Sequence, residues 1–317
     1  MSKILVLGWN GSGNIGDDLF EDAFSTLFPG HQFIYTQNIS ANILINIDCV
    51  FIGGGSLLDG EPAITLDALE LLKNHNVIYI GVGAETNIHP VHIQLMKQAK
   101  LIAIRSNHID KIKQINPNVI CIPDLVYALK SNKQKIPIKK SLLILPNIEV
   151  VPKGTDQNWK HSSWQYFKSE FSQFLDWAID NKYTISFFSM CNNNKMSDYW
   201  AATEIINCMT YRNCSYTSYK QINCFSEIVD YFGQYETIIT QRFHGVILAE
   251  ILNKPYIAIH HHDKIKECFP GRGNFIPYYE LSKNKLINNL TNINQINEKF
   301  YVDFTELIVK VNSIIEP

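Results

Sequence analysis

Ile4-Leu5-Val6-Leu7-Gly8 is an apolar run that ends at glycine, and Gly11-Ser12-Gly13-Asn14-Ile15-Gly16-Asp17-Asp18 follows it after two residues. The apolar run is typical of a strand that is buried on both faces of a sheet. The glycine-rich segment would form a turn, and Asp18–Phe28 has the pattern of a helix. A strand, a glycine-rich turn and a helix in this order predict a parallel α/β fold.

The same order recurs along the chain. Cys49–Ile52 leads into Gly53-Gly54-Gly55, and in the second half the strand Glu236–Thr240 leads through a short turn into the apolar helix Val246–Leu252. Between the two halves, the polar segment Lys130–Lys140 has no periodicity and is interpreted as a linker. The sequence therefore predicts two Rossmann-like α/β domains with parallel sheets that face each other across a cleft.

We predict an N-terminal domain over residues 1–135 and a C-terminal domain over residues 136–317. The order of elements leaves open whether the last helix, Val302–Ile315, packs back on the N-terminal domain. Ligands of parallel sheets bind at the carboxyl ends of the strands, so we expect the functional residues in the loops that follow the strands.

Composition excludes several classes of protein. The chain has 317 residues, of which 46% are hydrophobic and 18% are charged, and its net charge is −2, so it can bury a large core and lacks the basic surface of a sequence-independent nucleic-acid binder. The seven cysteines have no C-x-x-C spacing, which favours reduced thiols. The first residues read as a strand and no apolar run approaches the ~18 residues of a membrane span, so we expect a cytoplasmic protein.

Arginine is rare in this chain, which draws attention to Gln241-Arg242-Phe243-His244-Gly245. A guanidinium presents a rigid fork of donors that matches phosphate or carboxylate, and Lys does not reproduce it. The N–H groups of the following helix point the same way, and His can transfer a proton near neutral pH. The turn predicts an anion site beside a proton donor.

Other charged residues also follow predicted strands. Arg105 comes after Leu101–Ile104, and Lys264 follows the next strand after His244. Asp124 is either a turn residue or a partner for an Arg. The run His260-His261-His262 invites a metal interpretation, but successive residues of an extended chain alternate faces, so we predict no metal site.

The glycine-rich loops allow two readings each. Gly11, Gly13 and Gly16 have the G-x-G-x-x-G spacing, but Gln37-Asn38 follows the second strand where a nicotinamide site would need an acidic residue. Asp17 could contact a ligand or cap the helix. The loop of Gly54, Gly55 and Ser56 could approach a ligand or pack as a tight turn.

An ordered set of motifs resembles the polysaccharide pyruvyl transferase family over about residues 4 to 265. The set comprises Gly13-Asn14-Ile15-Gly16-Asp17-Asp18, Gly53-Gly54-Gly55-Ser56-Leu57-Leu58, Arg105-Ser106, Pro123-Asp124, Arg242-Phe243-His244-Gly245 and Lys264. Family members commonly carry Ser before the second Arg and Leu after it, where this chain has Gln241 and Phe243.

The resemblance implies a fold of glycosyltransferase-B type and the transfer of a pyruvyl group from phosphoenolpyruvate to two hydroxyls of a sugar, which gives a pyruvate ketal and phosphate. It implies no cofactor besides phosphoenolpyruvate as co-substrate. The N-terminal domain would take the glycan acceptor and the C-terminal domain the donor. Arg105, Arg242 and Lys264 would bind the donor, His244 and Asp17 would act in catalysis, and Asn14, Gly16, Gly54, Gly55 and Ser56 would make loop contacts.

Two other functions stay open at this point. A nucleotide-sugar glycosyltransferase of the same fold would share the basic residues, and so would a non-catalytic relative that binds a glycan or an anion. The sequence predicts neither the acceptor sugar nor the oligomeric state.

Overall fold

A computed structural model of the chain describes residues 1–55, 57–58, 64, 66–83, 88–105, 109–130, 135–149, 156–192, 198–218, 222, 224–260, 274–293 and 302–316. The chain forms two compact units. The first unit is Met1–Leu129 together with Tyr301–Pro317, and the second is Lys130–Phe300. The boundary drawn from the sequence, between residues 135 and 136, lies a few residues further along.

The first unit is built on a six-stranded parallel sheet with the strand order β2-β1-β3-β4-β5-β6. Its strands are β1 (Lys3–Leu7), β2 (Gln32–Thr36), β3 (Cys49–Gly53), β4 (Asn76–Val82), β5 (Leu101–Ile104) and β6 (Val119–Cys121). β1 and β3 are almost wholly buried, which explains the apolar runs Ile4–Leu7 and Cys49–Ile52.

Helices cover this sheet, and the described ones before the second unit are α1 (Ile15–Leu27), α2 (Leu66–Leu72), α3 (Pro90–Gln98) and α4 (Ile109–Lys113). α1 buries Phe20 and Phe24, which are four residues apart and so share one helix face. The ring of Phe24 packs 5.7 Å from that of Phe51 on β3. This aromatic contact fixes α1, and with it the loop that precedes the helix, against the middle of the sheet.

The second unit repeats the plan with a parallel sheet of order β12-β11-β10-β7-β8-β9. Its strands are β7 (Ile138–Leu145), β8 (Thr184–Ser189), β9 (Ser215–Ser218), β10 (Tyr235–Thr240), β11 (Tyr256–His260) and β12 (Asn274–Pro277). β7 begins inside the segment that the sequence assigned to a linker, so that interpretation is wrong for residues 138–140. Ile138 pairs with Tyr235 at the start of the sheet.

The described helices of the second unit are α5 (Gln157–Asp180), α6 (Asp198–Cys208), α7 (Phe225–Phe232), α8 (Phe243–Ile251) and α9 (Lys283–Thr291). A final helix, α10 (Thr305–Ile315), belongs to the first unit and contacts β4 and β5. Near the ends of the chain, Ser2 N donates to His31 Nδ1 (3.4 Å), and Glu316 Oε1 lies 3.6 Å from His31 Nε2. The predicted parallel α/β class is confirmed for both units.

Each sheet reverses its winding direction beside its first strand. In the first unit β1 lies between β2 and β3, and in the second β7 lies between β8 and β10. Ligands of open parallel sheets bind outside the carboxyl ends of the strands at such a switch point. The loops after β1 and β3, and those after β7 and β10, are therefore the places to examine for a site. No helix in the described ranges combines the length and apolar character needed to cross a membrane.

Candidate active site

A tight turn follows β1 at the switch point of the first sheet. Ser12 N donates to Trp9 O (3.1 Å), and Gly11, the third residue of the turn, has a φ of +72°. Such a φ is easy for glycine and costly for other residues, so Gly11 lets the turn close. Gln37 Nε2 donates to Asn10 O (2.8 Å), which ties the turn to the chain that leaves β2.

Polar side chains organise the start of α1. Asn14 is the N-cap: its Oδ1 accepts from Gly16 N (3.3 Å), and its Nδ2 donates to Asp17 Oδ2 (2.8 Å). Asp18 Oδ1 accepts from Gly11 N (2.7 Å). Asp17 therefore lies inside the first helical turn and is not the N-cap. Two carboxylates at this helix N-terminus complement its dipole and make it a poor site for a further anion.

The glycine-rich turn after β3 packs against the start of α1. Gly54 and Gly55 have φ values of +81° and +76°. A Cβ on Gly55 would lie 2.6 Å from Asp17 Oδ1 and 3.5 Å from Trp9 Cδ1. Gly55 O accepts from Gly83 N (3.1 Å) at the end of β4. The structure thus brings together Trp9, Asp17 and Gly55, with Gly54 in the same turn and Asn14 and Gly16 at the start of α1.

Arg105 follows β5 and forms a buried ion pair. Its Nη1 contacts Asp124 Oδ2, and the two side chains are 5% and 2% exposed. Asp124 Oδ1 accepts from Val126 N (3.0 Å) at the start of the short 3-10 helix Leu125–Ala128. Both readings of Asp124 thus hold at once, because one carboxylate caps the turn and pairs with the arginine. The guanidinium carbon lies 6.0 Å from the ring centroid of Phe20 on α1.

The turn between β10 and α8 has its own capping bonds. Arg242 is the N-cap residue of α8, so His244 lies in the first turn of the helix. Thr240 Oγ1 accepts from Arg242 N (2.9 Å) and donates to Arg242 O (3.0 Å). This hydroxyl fixes the backbone of Arg242 at the carboxyl end of β10, as the strand-turn-helix pattern of the sequence predicts.

The guanidinium of Arg242 pairs with Asp198, the first residue of α6. Arg242 Nη2 contacts Asp198 Oδ1, and the side chains are 14% and 0% exposed. Asp198 Oδ2 accepts from Met190 N and Cys191 N, both at 2.9 Å. Burial disfavours both charged forms, because it lowers the pKa of Arg242 and raises that of Asp198. The opposite charge of each partner shifts the pKa in the other direction. For Arg242 the carboxylate prevails, so its pKa lies above the ordinary value and the group stays charged.

Gln241 joins the two strands that flank the second switch point. Its Oε1 accepts from Asn147 N (2.9 Å), and Gln241 N donates to Leu145 O (3.0 Å) at the end of β7. Gln241 and Asn147 are 7% and 5% exposed. The Gln241 side chain therefore fixes the loop after β7 next to Arg242.

His244 is half-buried, and its ring lies 5.4 Å from the ring of Phe243 in a perpendicular arrangement. The first N–H groups of a helix lack intrahelical partners and attract negative charge. The start of α8, which carries Arg242 and His244, therefore offers the N–H groups that an anion site needs.

Two of the predicted site residues, Lys264 and Ser56, lie outside the described residues, as do Ser106, His261 and His262. The other predicted residues fall in two groups. Asn14, Gly16, Asp17, Gly54, Gly55 and Arg105 belong to the first unit, and Arg242 and His244 to the second. In the described part of the chain, no group of three or more His, Cys, Asp or Glu side chains could hold a metal ion.

Sequence reasoning missed Asp198, Trp9 and Asn10. The sequence only weakly indicates a functional role for Asp198, because an acidic residue at the start of a helix after a strand is usually a capping residue at the surface. Its burial against Arg242 depends on a pairing over 44 residues of sequence. Trp9 and Asn10 are the two residues between the first strand and the glycine-rich loop, and an aromatic residue there was the available signal.

Comparison with known proteins identifies a matching family and solved structures of similar fold. The sequence pattern of the family described as polysaccharide pyruvyl transferase matches residues 14–263. No curated protein matches the sequence significantly. Among solved structures, the UDP-GlcNAc 2-epimerase of Neisseria meningitidis bound to UDP-GlcNAc is similar with a TM-score of 0.57 and 10% identity, covering 99% of this chain and 100% of its own.

A second epimerase gives the same picture. The UDP-GlcNAc 2-epimerase of Methanocaldococcus jannaschii aligns with a TM-score of 0.54 and 11% identity, over 95% of this chain and 94% of its own. At such low identity the likeness shows the fold alone, which is of glycosyltransferase-B type. The prediction of that fold type is confirmed.

Proposed function

Because the chain belongs to the polysaccharide pyruvyl transferase family, we propose that it forms a pyruvate ketal on a sugar, with phosphoenolpyruvate as the donor. Two sugar hydroxyl oxygens form bonds to C2 of the donor, and the bond from C2 to the phosphate oxygen breaks. The methylene carbon gains one proton and becomes a methyl group, and the other hydroxyl proton leaves with hydrogen phosphate. The turn of Arg242 and His244 at a switch point is the structural observation that carries the proposal.

Phosphoenolpyruvate carries a carboxylate and a phosphate, so its site needs fixed cations. Arg242 has the required properties: it is charged, nearly buried and oriented by Asp198. Pairing with Asp198 through Nη2 orients the guanidinium, whose rigid fork of donors matches a phosphate or a carboxylate. We assign the donor to the second unit, with Arg242 and Lys264 as its cations, and we keep Arg105 as a further donor-binding candidate.

His244 is our candidate for proton transfer. An imidazolium could protonate the methylene carbon, which makes an oxocarbenium-like centre at C2, or could assist the departure of phosphate. On the acceptor side, which we assign to the first unit, Asp17 is the candidate to take a hydroxyl proton. The proposed reaction uses no resident cofactor, and we place it in the cytoplasm, where phosphoenolpyruvate is made.

The test is a phosphate-release assay with phosphoenolpyruvate and a panel of glycans, with the ketal methyl group followed by NMR. We expect His244→Gln to lower kcat by about 10²- to 10⁴-fold, the range for loss of a general acid, while phosphoenolpyruvate still binds. The matched control is His161→Gln, since His161 is exposed on α5. Full turnover by His244→Gln would remove His244 from the mechanism.

Donor identity is tested separately by thermal shift. We expect phosphoenolpyruvate to stabilise the protein and Arg242→Lys to weaken this effect, with Arg212→Lys, an exposed arginine of the same unit, as control. Stabilisation by a nucleoside diphosphate but not by phosphoenolpyruvate would indicate a nucleotide-sugar glycosyltransferase. Binding of phosphoenolpyruvate and glycan without any product would indicate a non-catalytic relative.

A further inference from the structure

The first switch point presents an exposed aromatic side chain beside a buried amide. Trp9 is 38% exposed, whereas its neighbour Asn10 is 7% exposed. Both belong to the turn after β1, which the hydrogen bond from Ser12 N to Trp9 O closes. The proposed roles of Arg242 and His244 make no use of these two residues.

The side-chain amide of Asn10 is a buried polar group. Among the described residues, neither its Oδ1 nor its Nδ2 has a hydrogen-bond partner. Buried polar groups are nearly always hydrogen-bonded, because leaving them unpaired is costly. An amide offers a donor and an acceptor side by side, and a hydroxyl group can satisfy either. A ligand with several hydroxyls therefore suits Asn10.

Trp9 and Asp17 both pack against Gly55. The position of a Gly55 Cβ would be 3.5 Å from Trp9 Cδ1 and 2.6 Å from Asp17 Oδ1. An indole gives an apolar surface with one N–H donor, which matches a ring that has C–H groups on its face and hydroxyls on its rim.

The charges at this edge favour a neutral ligand. Asp17 and Asp18 both lie in the first turn of α1, and the Arg105 cation is matched by Asp124. Like charges repel in such a partly buried place, so a carboxylate or phosphate of a ligand would be disfavoured. The loop thus differs from the start of α8, where Arg242 favours an anion.

We propose that Trp9, Asn10 and Asp17 form a subsite for one neutral pyranose ring of the acceptor, with the C–H face of the ring against the indole. The Asn10 amide and the Asp17 carboxylate bind hydroxyls at the rim. This inference rests on the proposed function, because it identifies the acceptor end of that reaction. It also has a direct binding test that does not involve phosphoenolpyruvate.

The binding test uses saturation-transfer NMR on the whole protein with the methyl glycopyranosides of glucose, galactose, mannose and N-acetylglucosamine. We expect transfer to the ring C–H protons of at least one of them. Glucitol, which has the hydroxyls without a ring face, and methyl glucuronoside, which carries a carboxylate, should show much weaker transfer. Equal signals for glucitol and the pyranosides, or no signal for any pyranoside, would overturn the proposal.

Three variants locate the binding. Trp9→Ala should weaken binding of the best pyranoside about tenfold, the loss expected for a stacked aromatic contact, and Trp9→Phe should recover part of it. Asn10→Leu should weaken binding and, since it removes an unpaired buried amide, raise the Tm of the free protein by about 2–4 °C. The matched control is Trp159→Ala on α5, whose side chain is 66% exposed.

The outcomes separate this inference from the proposed function. Turnover with phosphoenolpyruvate and an acceptor KM that is unchanged in Trp9→Ala would overturn the subsite and keep the function. Pyranoside binding that depends on Trp9 in a protein that does not use phosphoenolpyruvate would keep the subsite and overturn the function. A rise in Tm for Asn10→Leu without any loss of binding would leave Asn10 out of the subsite.

Discussion

Asp198 and Arg242 form an ion pair in which the carboxylate is fully buried and also accepts the N–H groups of Met190 and Cys191. The first unit has a counterpart, since Arg105 pairs with the buried Asp124. Each arginine that the sequence predicts for donor binding is thus paired with an aspartate, and that aspartate also accepts hydrogen bonds from backbone N–H groups. We therefore expect a substitution of either arginine to change the structure as well as the proposed binding of the donor.

We expect Arg242→Ala to destabilise the second unit by roughly 3–5 kcal/mol, because the buried Asp198 carboxylate loses its counter-charge. Denaturant unfolding of the variant and the parent protein measures this difference. A variant that unfolds within about 1 kcal/mol of the parent would mean that the pair contributes little to stability, and its activity could then be read directly.

A double variant separates stability from function at this site. Arg242→Met with Asp198→Asn removes both charges and keeps a side-chain oxygen for the backbone N–H groups of Met190 and Cys191. We expect it to regain part of the stability lost in Arg242→Ala, because no uncompensated charge is buried, and to stay inactive. Recovery of activity along with stability would argue that Arg242 has no role in binding the donor.

Gly55→Ala should lower activity more than its backbone strain explains. An Ala in the left-handed region costs about 1–2 kcal/mol, and at Gly55 the new Cβ would also displace the Asp17 carboxylate. The control is Gly30→Ala, because Gly30 has a φ of +91° and no atom within 4 Å of an added Cβ. Unfolding curves and acceptor KM values of the two variants give the comparison. Equal losses of activity in the two variants would mean that the contact between Gly55 and Asp17 does not contribute to function.

We expect Gln241→Ser to destabilise the protein by about 1–3 kcal/mol. The shorter side chain no longer reaches Asn147 N, which would leave a buried N–H group without an acceptor. Gln173→Ser on the exposed face of α5 serves as the control and should change stability by less than about 0.5 kcal/mol. A neutral effect at Gln241 would indicate that water replaces the amide oxygen.

The first unit should lose stability as the pH falls from 6.5 toward 4. Burial, with a smaller effect from His89, lowers the pKa of His92 from 6.5 to about 4, and its Nδ1 lies 3.0 Å from Tyr79 Oη. Within this window the unfolded chain binds a proton that the folded chain does not. The free energy of unfolding therefore decreases as the pH decreases. The contribution lost between pH 7 and pH 4.5 is about 2 kcal/mol.

The double variant Tyr79→Phe with His92→Leu removes this proton linkage along with the hydrogen bond. Urea unfolding at several pH values between 4 and 7 should show a shallower decline for the variant than for the parent protein. Parallel declines in the two proteins would assign the acid sensitivity to other groups.

The sequence was sufficient for the class of fold because its signals are local. The apolar run of β10 and the helix after it are separated by a short turn, so the position of Arg242 follows from neighbouring residues alone. The start of α1 was placed three residues too late, at Asp18, because Asp17 and Asp18 both resemble capping residues. The structure gives that role to Asn14, whose side chain bonds to Gly16 N.

The partners within the site could not be predicted, since they depend on how the elements pack. Asp198 reaches Arg242 across 44 residues of sequence, and Gln241 reaches Asn147 across 94. Periodicity shows which face of an element is buried but not which polar group lies opposite it. The same limit applies to Gly55, which lies close to Trp9 and Asp17 only because the turns after β1 and β3 are adjacent at the switch point.

Because α10 belongs to the first unit, the second unit is a domain inserted between two segments of the first. We call the second unit the guest and the first unit the host. Residues 130–300 are one continuous segment, whereas the host consists of two segments whose outer ends both contact His31. The guest can therefore be produced as a single uninterrupted fragment, and a circular permutant that joins residue 316 to residue 2 should preserve the host. If phosphoenolpyruvate is recognised by the guest alone, that fragment will bind it without the rest of the chain.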